Sequence, residues 1–431
     1  MKPFQFQRRL LLTAICLAPV AGFAPAASAQ DQTEVVYASN LDPANTKDPR
    51  AAAQTKIIAA FEAANPDIKV KVLVDPTQAS YLRALKSKSS SPDVIKVIGF
   101  GMPEYAATGS LQPLDDMAKQ DNIDETDWLI PLEKTKFNGH YYGLPLDYRI
   151  PLFLYRKSAL SAAGLKPPTT WDEVCELSKK LTTQGKIGYA VGIGASGGLG
   201  GAQAFSELMF SSMSTEGSEV YFNPTGDKYL VSEESFVRAA QTIKDMFTKC
   251  RVPTATLQFG YNEVHDGLRA GTIDSATFGL YRFAAIANGG AGDDLAWAPP
   301  PAYEPNGKQV VYGYYVSLNA NSAHKDAAWK LLKFFGSPEA QKIALEGGEV
   351  VARTSAYTAG DYLDTPAGQR QSQWAKLVSE RGFLPSYPLS LTAYNQALGE
   401  ALQRMVLRDT SPKDAYTEVK TRYEKAMAQA N

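Results

Sequence analysis

Residues 192–201 hold two overlapping patterns that could carry chemistry. Gly192-Ile193-Gly194-Ala195-Ser196-Gly197 matches G-x-G-x-x-G, the phosphate-cradling turn of dinucleotide sites. Gly194-Ala195-Ser196-Gly197-Gly198 matches G-x-S-x-G, the sharp turn that presents a nucleophilic serine in esterases. Both patterns need a helix directly after the turn, yet the glycine run continues through Gly200-Gly201. A nucleophilic serine also needs a histidine base, and only His265 and His324 follow it. A flexible glycine loop is the better reading.

Other reactive residue types are thinly spread. The chain has no H-E-x-x-H, no C-x-x-C and no acidic EF-hand loop, so neither a metal site nor a cofactor is expected. The adjacent pairs Tyr141-Tyr142 and Tyr314-Tyr315 are of a kind that can chelate ferric iron, but aromatic packing or ligand stacking is the simpler use. Asp115-Asp116 and Asp293-Asp294 are adjacent rather than opposed across a cleft, as glycoside hydrolysis requires, and read as solvated turn acids. Cys175 and Cys250 allow a single disulfide connectivity, with a buried thiol pair as the alternative.

The composition narrows the class. With 431 residues, 44% of them apolar, the chain is long enough for two domains, each with its own core. It carries 44 basic and 45 acidic residues and no basic stretch, which argues against a nucleic-acid partner. Lys2, Arg8 and Arg9 precede an apolar run over 10–20 and then Ala27-Ser28-Ala29, the order of a cleavable export signal over 1–29. Without that signal, 41 basic residues face 45 acidic ones. No other run approaches the roughly 20 apolar residues a membrane helix needs. The expected compartment is the periplasm, where a disulfide can form.

The elements that must position any site read as α/β. Residues 34–38, 68–74 and 94–98 are expected as strands, the last nearly all apolar. Between them, Asp48-Pro49 opens a helix that Asn65-Pro66 stops, and a second helix covers 81–86. A second β/α run follows: strands at 152–155, 187–193 and 275–278, a capping box at Thr170-Trp171-Asp172-Glu173, and helices at 202–211 and 236–247. A strand over 310–318 leads into helices at 325–335 and 338–346, and the C-terminal part is helical over 394–407 and 411–428. Two α/β units without a flexible linker imply packed lobes with a cleft between them.

Several blocks, in order and at matching spacing, resemble the extracellular solute-binding proteins of sugar-type ABC importers, the maltose-binding protein group. They are Phe61-Glu62-Ala63-Ala64-Asn65-Pro66-Asp67; Ser91-Pro92-Asp93 with Gly109-Ser110-Leu111-Gln112-Pro113-Leu114; Gly139-His140-Tyr141-Tyr142-Gly143-Leu144-Pro145; Ala163-Gly164-Leu165-Lys166-Pro167-Pro168; and Ala327-Ala328-Trp329-Lys330 with Ser337-Pro338-Glu339-Ala340. The resemblance implies a two-lobe clamp, each lobe a mixed sheet flanked by helices, that closes on a small molecule and presents it to an inner-membrane permease and its ATPase. It implies a first lobe of 30–148 plus 318–350 and a second of 149–317 plus 351–431. Three crossings then fall near 147–151, 315–318 and 350–353. A monomer is expected, with no enzymatic activity.

A pyranose offers C–H faces to aromatic rings and hydroxyls to polar side chains. By resemblance, Asp147, Tyr148 and Arg149 lie at the first crossing, Tyr281 is a stacking ring, and Tyr312, Gly313 and Tyr314 face the cleft. Trp297, Arg353 and Tyr394 are further candidates. The loop after the third strand, Val97-Ile98-Gly99-Phe100-Gly101, lacks the hydroxyl partners usual there, so Phe100 is its only candidate and Asn40, Asp42 or Lys47 are expected to replace them. A sugar or polyol is the expected ligand; ferric iron, a polyamine or a phosphorylated polyol on the same scaffold, and an exported esterase or glycosidase, are the alternatives.

Overall fold

The computed structural model describes residues 32–75, 79–192, 209, 221–358 and 360–430. The export signal, the glycine run from Ile193 onward with Ser196, and all of the helix expected at 202–211 except Met209 lie outside the described residues.

The first lobe is built on strands β1 (Thr33–Ser39), β2 (Ile68–Val74), β3 (Val94–Ile98), β4 (Leu144–Pro145) and β9 (Tyr314–Leu318), in the order β2-β1-β3-β9-β4. β1 pairs in parallel with β2 and β3, whereas β9 runs antiparallel to β3 and β4. Helix α1 (Pro49–Ala64) connects β1 to β2; Asp48 caps its N-terminus by accepting from the Arg50 amide, and Pro49 takes the first turn. Helix α2 is Ala79–Lys86. Two helices from late in the chain, numbered after those of the second lobe, return to this lobe. They are α8 (Lys325–Phe335) and α9 (Pro338–Glu346), and Phe335 packs on Tyr37 with ring centroids 4.7 Å apart.

The second lobe has a three-stranded antiparallel sheet of β5 (Pro151–Arg156) between β6 (Ser275–Gly279) and β7 (Leu295–Ala298). Around it lie α5 (Trp171–Leu181), α6 (Glu233–Thr248) and α7 (Tyr261–Ala270), α3 and α4 being short helices at Met102–Ala107 and Lys157–Ala162. The capping box forms as read, with Thr170 accepting from the Glu173 amide and Glu173 from the Thr170 amide. Gly267 sits inside α7 because a Cβ there would lie 2.4 Å from Ile273 Cδ1. A disulfide joins Cys175 of α5 to Cys250, just past the end of α6, with Cα atoms 4.7 Å apart. Helices α10 (Pro366–Arg381), α11 (Leu391–Leu407) and α12 (Pro412–Ala430) close the chain.

Two expectations change. The strand read over 310–318 is two pieces: β8 (Gln309–Val310) pairs with β10 (Gly382–Phe383), while Tyr314–Leu318 is wholly a strand of the first sheet. The chain therefore passes between the lobes over residues 311–313, upstream of the expected 315–318, because β9 fills the space between β3 and β4. At 187–193, Ile187 and Ala190 form only isolated bridges, to Ile273 and Ala276.

Candidate functional site

The three connections lie side by side. The Tyr148 amide donates to the Val350 carbonyl at 2.8 Å, the Arg149 amide to the Tyr312 carbonyl at 2.7 Å and the Leu146 amide to the Tyr314 carbonyl at 2.8 Å. Residues 146–149 are thus a short extended rung between the second and third crossings. Gly313 permits this contact, since a Cβ there would lie 1.9 Å from the Asp147 carbonyl oxygen.

Extended chain alternates its faces, so Asp147 and Arg149 point the same way and Tyr148 points the other. Tyr148 is fully buried, beside Tyr315. The Arg149 guanidinium lies 3.3 Å from the Asp147 carboxylate and 3.4 Å from that of Glu349, on the third crossing. Asp147 also accepts from the Tyr314 amide at 3.0 Å. All three charges are nearly inaccessible, with side-chain exposures of 6%, 2% and 11% for Arg149, Asp147 and Glu349.

Aromatic rings surround this cluster. Arg149 stands 4.7 Å from the ring centroids of both Tyr281 and Tyr314, and the Lys96 ammonium is 4.7 Å from that of Tyr314. Tyr281 stacks on Tyr261 with ring planes 6° apart and centroids at 5.7 Å, and Tyr261 stacks on Phe278 at 4.1 Å. The Asn40 amide donates to the Tyr314 hydroxyl at 3.4 Å. Phe100, from the first lobe, meets Tyr312 and Tyr387 at 5.9 and 6.5 Å. The buried polar atoms here without a hydrogen-bond partner include Asn40 Oδ1, Arg149 Nε and Glu349 Oε1.

Burial opposes charge at every one of these groups. At Glu349 burial is outweighed by Arg149, then Arg50 and Lys96, and the carboxyl is held below the ordinary glutamate range. At Asp147 burial prevails over Arg149 and lifts the carboxyl above the usual aspartate range. Burial also lowers Lys96 and pushes Tyr314 up to about 12. Iron chelation by the Tyr314-Tyr315 pair would need phenolates on one face, whereas neighbours on β9 point to opposite faces. Among the described residues no cluster of three or more His, Cys, Asp or Glu could hold a metal ion.

The structure thus brings together Asn40, Phe100, Asp147, Arg149, Tyr281, Tyr312, Gly313 and Tyr314. Other sequence candidates lie elsewhere or serve the fold. Asp42 is exposed and closes a turn by accepting from the Ala44 amide at 2.8 Å. Arg353 caps the end of α8, with Nε donating to the Gly336 carbonyl at 2.9 Å and its guanidinium 4.0 Å from the Trp128 ring centroid. Trp297 meets Trp374 edge-on at 5.8 Å. Tyr394 is fully buried in a second-lobe cluster with Phe222, Tyr229 and Tyr423. Sequence reading passed over Lys96, Glu349 and Tyr261. Lys96 had a signal, as the only charge in the apolar strand Val94–Ile98.

Residues 43–342 match the family model described as bacterial extracellular solute-binding protein. The chain is 28% identical over 262 residues to a probable amino-acid ABC transporter periplasmic-binding protein of Sinorhizobium fredii, covering 58% of this chain and 56% of that one. It is 23% identical over 294 residues to the maltotriose-binding protein of Pyrococcus abyssi, covering 66% and 60%. It therefore spans less than two thirds of the length of these curated relatives. Among solved structures, maltose-bound MalE3 of T. maritima superposes with a TM-score of 0.72 at 20% identity, over 93% of this chain and all of that one. An ABC transporter solute-binding protein of Agrobacterium radiobacter in complex with ribitol gives 0.71 at 21% identity, over 92% and 99%. These likenesses fix the two-lobe fold, and with the match over residues 43–342, the chain belongs to the bacterial extracellular solute-binding proteins.

Proposed function

We propose that the protein is the solute-capturing component of an ABC importer, exported by its 1–29 signal and working as a periplasmic monomer. It takes a neutral sugar or polyol between its lobes without chemical turnover and offers it to an inner-membrane permease. The observation that carries this reading is the Arg149–Tyr281 pair at the crossings: an ionic hydrogen-bonding group beside an aromatic face, 4.7 Å away. A carbohydrate uses both, the ring for its C–H face and the ion for its hydroxyls. Charge balance supports a neutral ligand. Arg50, Lys96 and Arg149 stand with Asp48, Asp147 and Glu349, three against three, so the cluster carries no net charge for a polyamine or a phosphate to neutralise.

Ligand-driven closure follows if the ligand prefers the closed lobes. Small-angle scattering on the mature chain tests it: addition of a bound sugar or polyol is expected to contract the radius of gyration. An unchanged radius with ligand bound contradicts the clamp.

A further inference from the structure

Tyr314 and Tyr315 are neighbours on β9 and so point to opposite faces of the first sheet. Tyr314 meets Arg149 and Lys96. Tyr315 lines a cavity of about 210 Å³ on the other face, beside Tyr148, which points away from Asp147 and Arg149. Both lobes build this cavity. One wall is Lys134, Lys136 and Phe137, ahead of β4; the other is Asn223, Pro224 and the segment 384–387, which follows β10. Arg149, Tyr281 and Tyr314 are not among its walls, so it is separate from the Arg149–Tyr281 junction.

The walls carry two ammonium groups and no carboxylate. Lys134 forms no ion pair within 4.0 Å with any described residue. Lys136 is 2.8 Å from Glu133, a pair whose carboxylate is 65% exposed, and such a solvated pair exchanges its partner at little cost. The neutral polar groups of the second-lobe wall are already committed. Ser386 accepts from the Phe222 amide at 2.8 Å, and the Tyr387 hydroxyl donates to the Val311 carbonyl at 3.0 Å. The Asn223 amide donates to Thr225 and to Asp227, each at 2.8 Å. A polyhydroxy compound therefore finds few free partners here, and a cation meets its own sign. What remains is positive charge beside apolar surface: the rings of Phe137, Tyr315 and Tyr387 and the faces of Pro103, Pro224 and Pro385. At about 210 Å³ the space falls below the roughly 300–1,000 Å³ of a drug-sized ligand's pocket and suits a single ring.

We infer that this cavity is a second ligand site, and that it takes a small organic anion, a carboxylate carried on one aromatic ring. The carboxylate sits against Lys134 with Lys136 beside it, and the ring lies among Phe137, Tyr315 and Tyr387. The site stands whatever solute the Arg149–Tyr281 junction takes.

Ligand-observed NMR titration of the mature protein with benzoate and phenylacetate, and with benzyl alcohol and benzylamine as neutral and cationic counterparts, tests this. At least one carboxylate is expected to bind at a single site per chain, about 10-fold or more tightly than benzyl alcohol, with benzylamine weaker still. Lys134 is exposed, so Lys134→Glu should fold normally. It should weaken carboxylate binding about 10-fold or more, because the charge beside the anion changes sign. Phe137→Ala should weaken it about 3- to 10-fold by removing a ring contact, whereas Tyr281→Ala should leave it unchanged. The site is overturned if neither carboxylate binds at about 10 mM, where even a dissociation constant of about 1 mM gives near-saturation. Equal binding of benzyl alcohol, or unchanged affinity in both wall variants, would overturn it as well. Loss in Tyr281→Ala with none in Lys134→Glu would do the same, by moving the anion to the Arg149–Tyr281 junction.

Discussion

Arg149 and Tyr281 are 132 residues apart in sequence, yet the guanidinium of the first stands 4.7 Å from the ring centroid of the second. The contact joins the first crossing to the end of β6 in the second lobe. On the other side Arg149 reaches Tyr314, in the first-lobe sheet. One side chain thus touches both lobes at the crossings.

Removing Arg149 is expected to be costly. Arg149→Met leaves Asp147 and Glu349 buried without their shared cation, a change of the kind that costs about 3–5 kcal/mol. Urea unfolding should show this loss, whereas Lys96→Met, which breaks no ion pair, should leave stability unchanged or raise it.

Tyr281 is half-buried and is expected to matter for ligand rather than fold. Tyr281→Ala should weaken binding of a sugar or polyol by about 10-fold, near 1.4 kcal/mol, in line with a lost aromatic contact. Its melting temperature should change far less than that of Arg149→Met.

Gly313→Ala should damage both properties at once. The added Cβ would sit 1.9 Å from the Asp147 carbonyl oxygen, so the first and second crossings must separate. Circular dichroism melts and calorimetry on the same sample should both register the change; a native-like melt with unaltered affinity would contradict the close packing of the crossings.

The Cys175–Cys250 disulfide spans 75 residues of the second lobe. On the chain-entropy account, a loop of this length contributes about 4 kcal/mol. Dithiothreitol, or Cys175→Ser with Cys250→Ser, is expected to lower the melting temperature clearly.

Acid stability has a local source in α11 and α12. Glu400 of α11 lies 2.7 Å from Arg422 of α12, and that hydrogen bond is the main reason its carboxyl is held down to about 2. A depressed carboxylate contributes fully above the ordinary glutamate value of about 4.3 and loses its contribution as pH falls towards 2. The pair is largely solvated, so Glu400→Gln should cost no more than about 1 kcal/mol at pH 7. The difference from wild type should vanish near pH 2.

The fold was legible where local signals and burial agreed. Asp48-Pro49, Thr170 with Glu173, and Ser337-Pro338 each start a helix as their side chains dictate. Helix α7 was missed because Gly267 interrupts its pattern for a reason of packing, the Ile273 side chain. Strand β7, Leu-Ala-Trp-Ala, is too short to show alternation, and α10 begins in a polar stretch with Pro366 and Gly368. At the crossings, Arg149 and Tyr281 were expected from their blocks to lie near each other, and they do. Lys96 and Glu349 were not, because each matters only through what the other crossings bring beside it. Tyr394 misled because a tyrosine on a helix looks alike in sequence whether it meets a ligand or, as here, three other aromatic rings.

The central claim, a neutral sugar or polyol held at the Arg149–Tyr281 junction, is tested most directly by a thermal-shift screen. The mature chain and its Tyr281→Ala variant would be compared against sugars, polyols, glycerol phosphate, spermidine and ferric citrate. A ligand at 100 times its dissociation constant stabilises by about 2.7 kcal/mol, a readily visible shift. At least one neutral sugar or polyol is expected to raise the melting temperature of the wild type and to raise that of the variant less. A shift by spermidine, ferric citrate or glycerol phosphate with none by any neutral compound would contradict it.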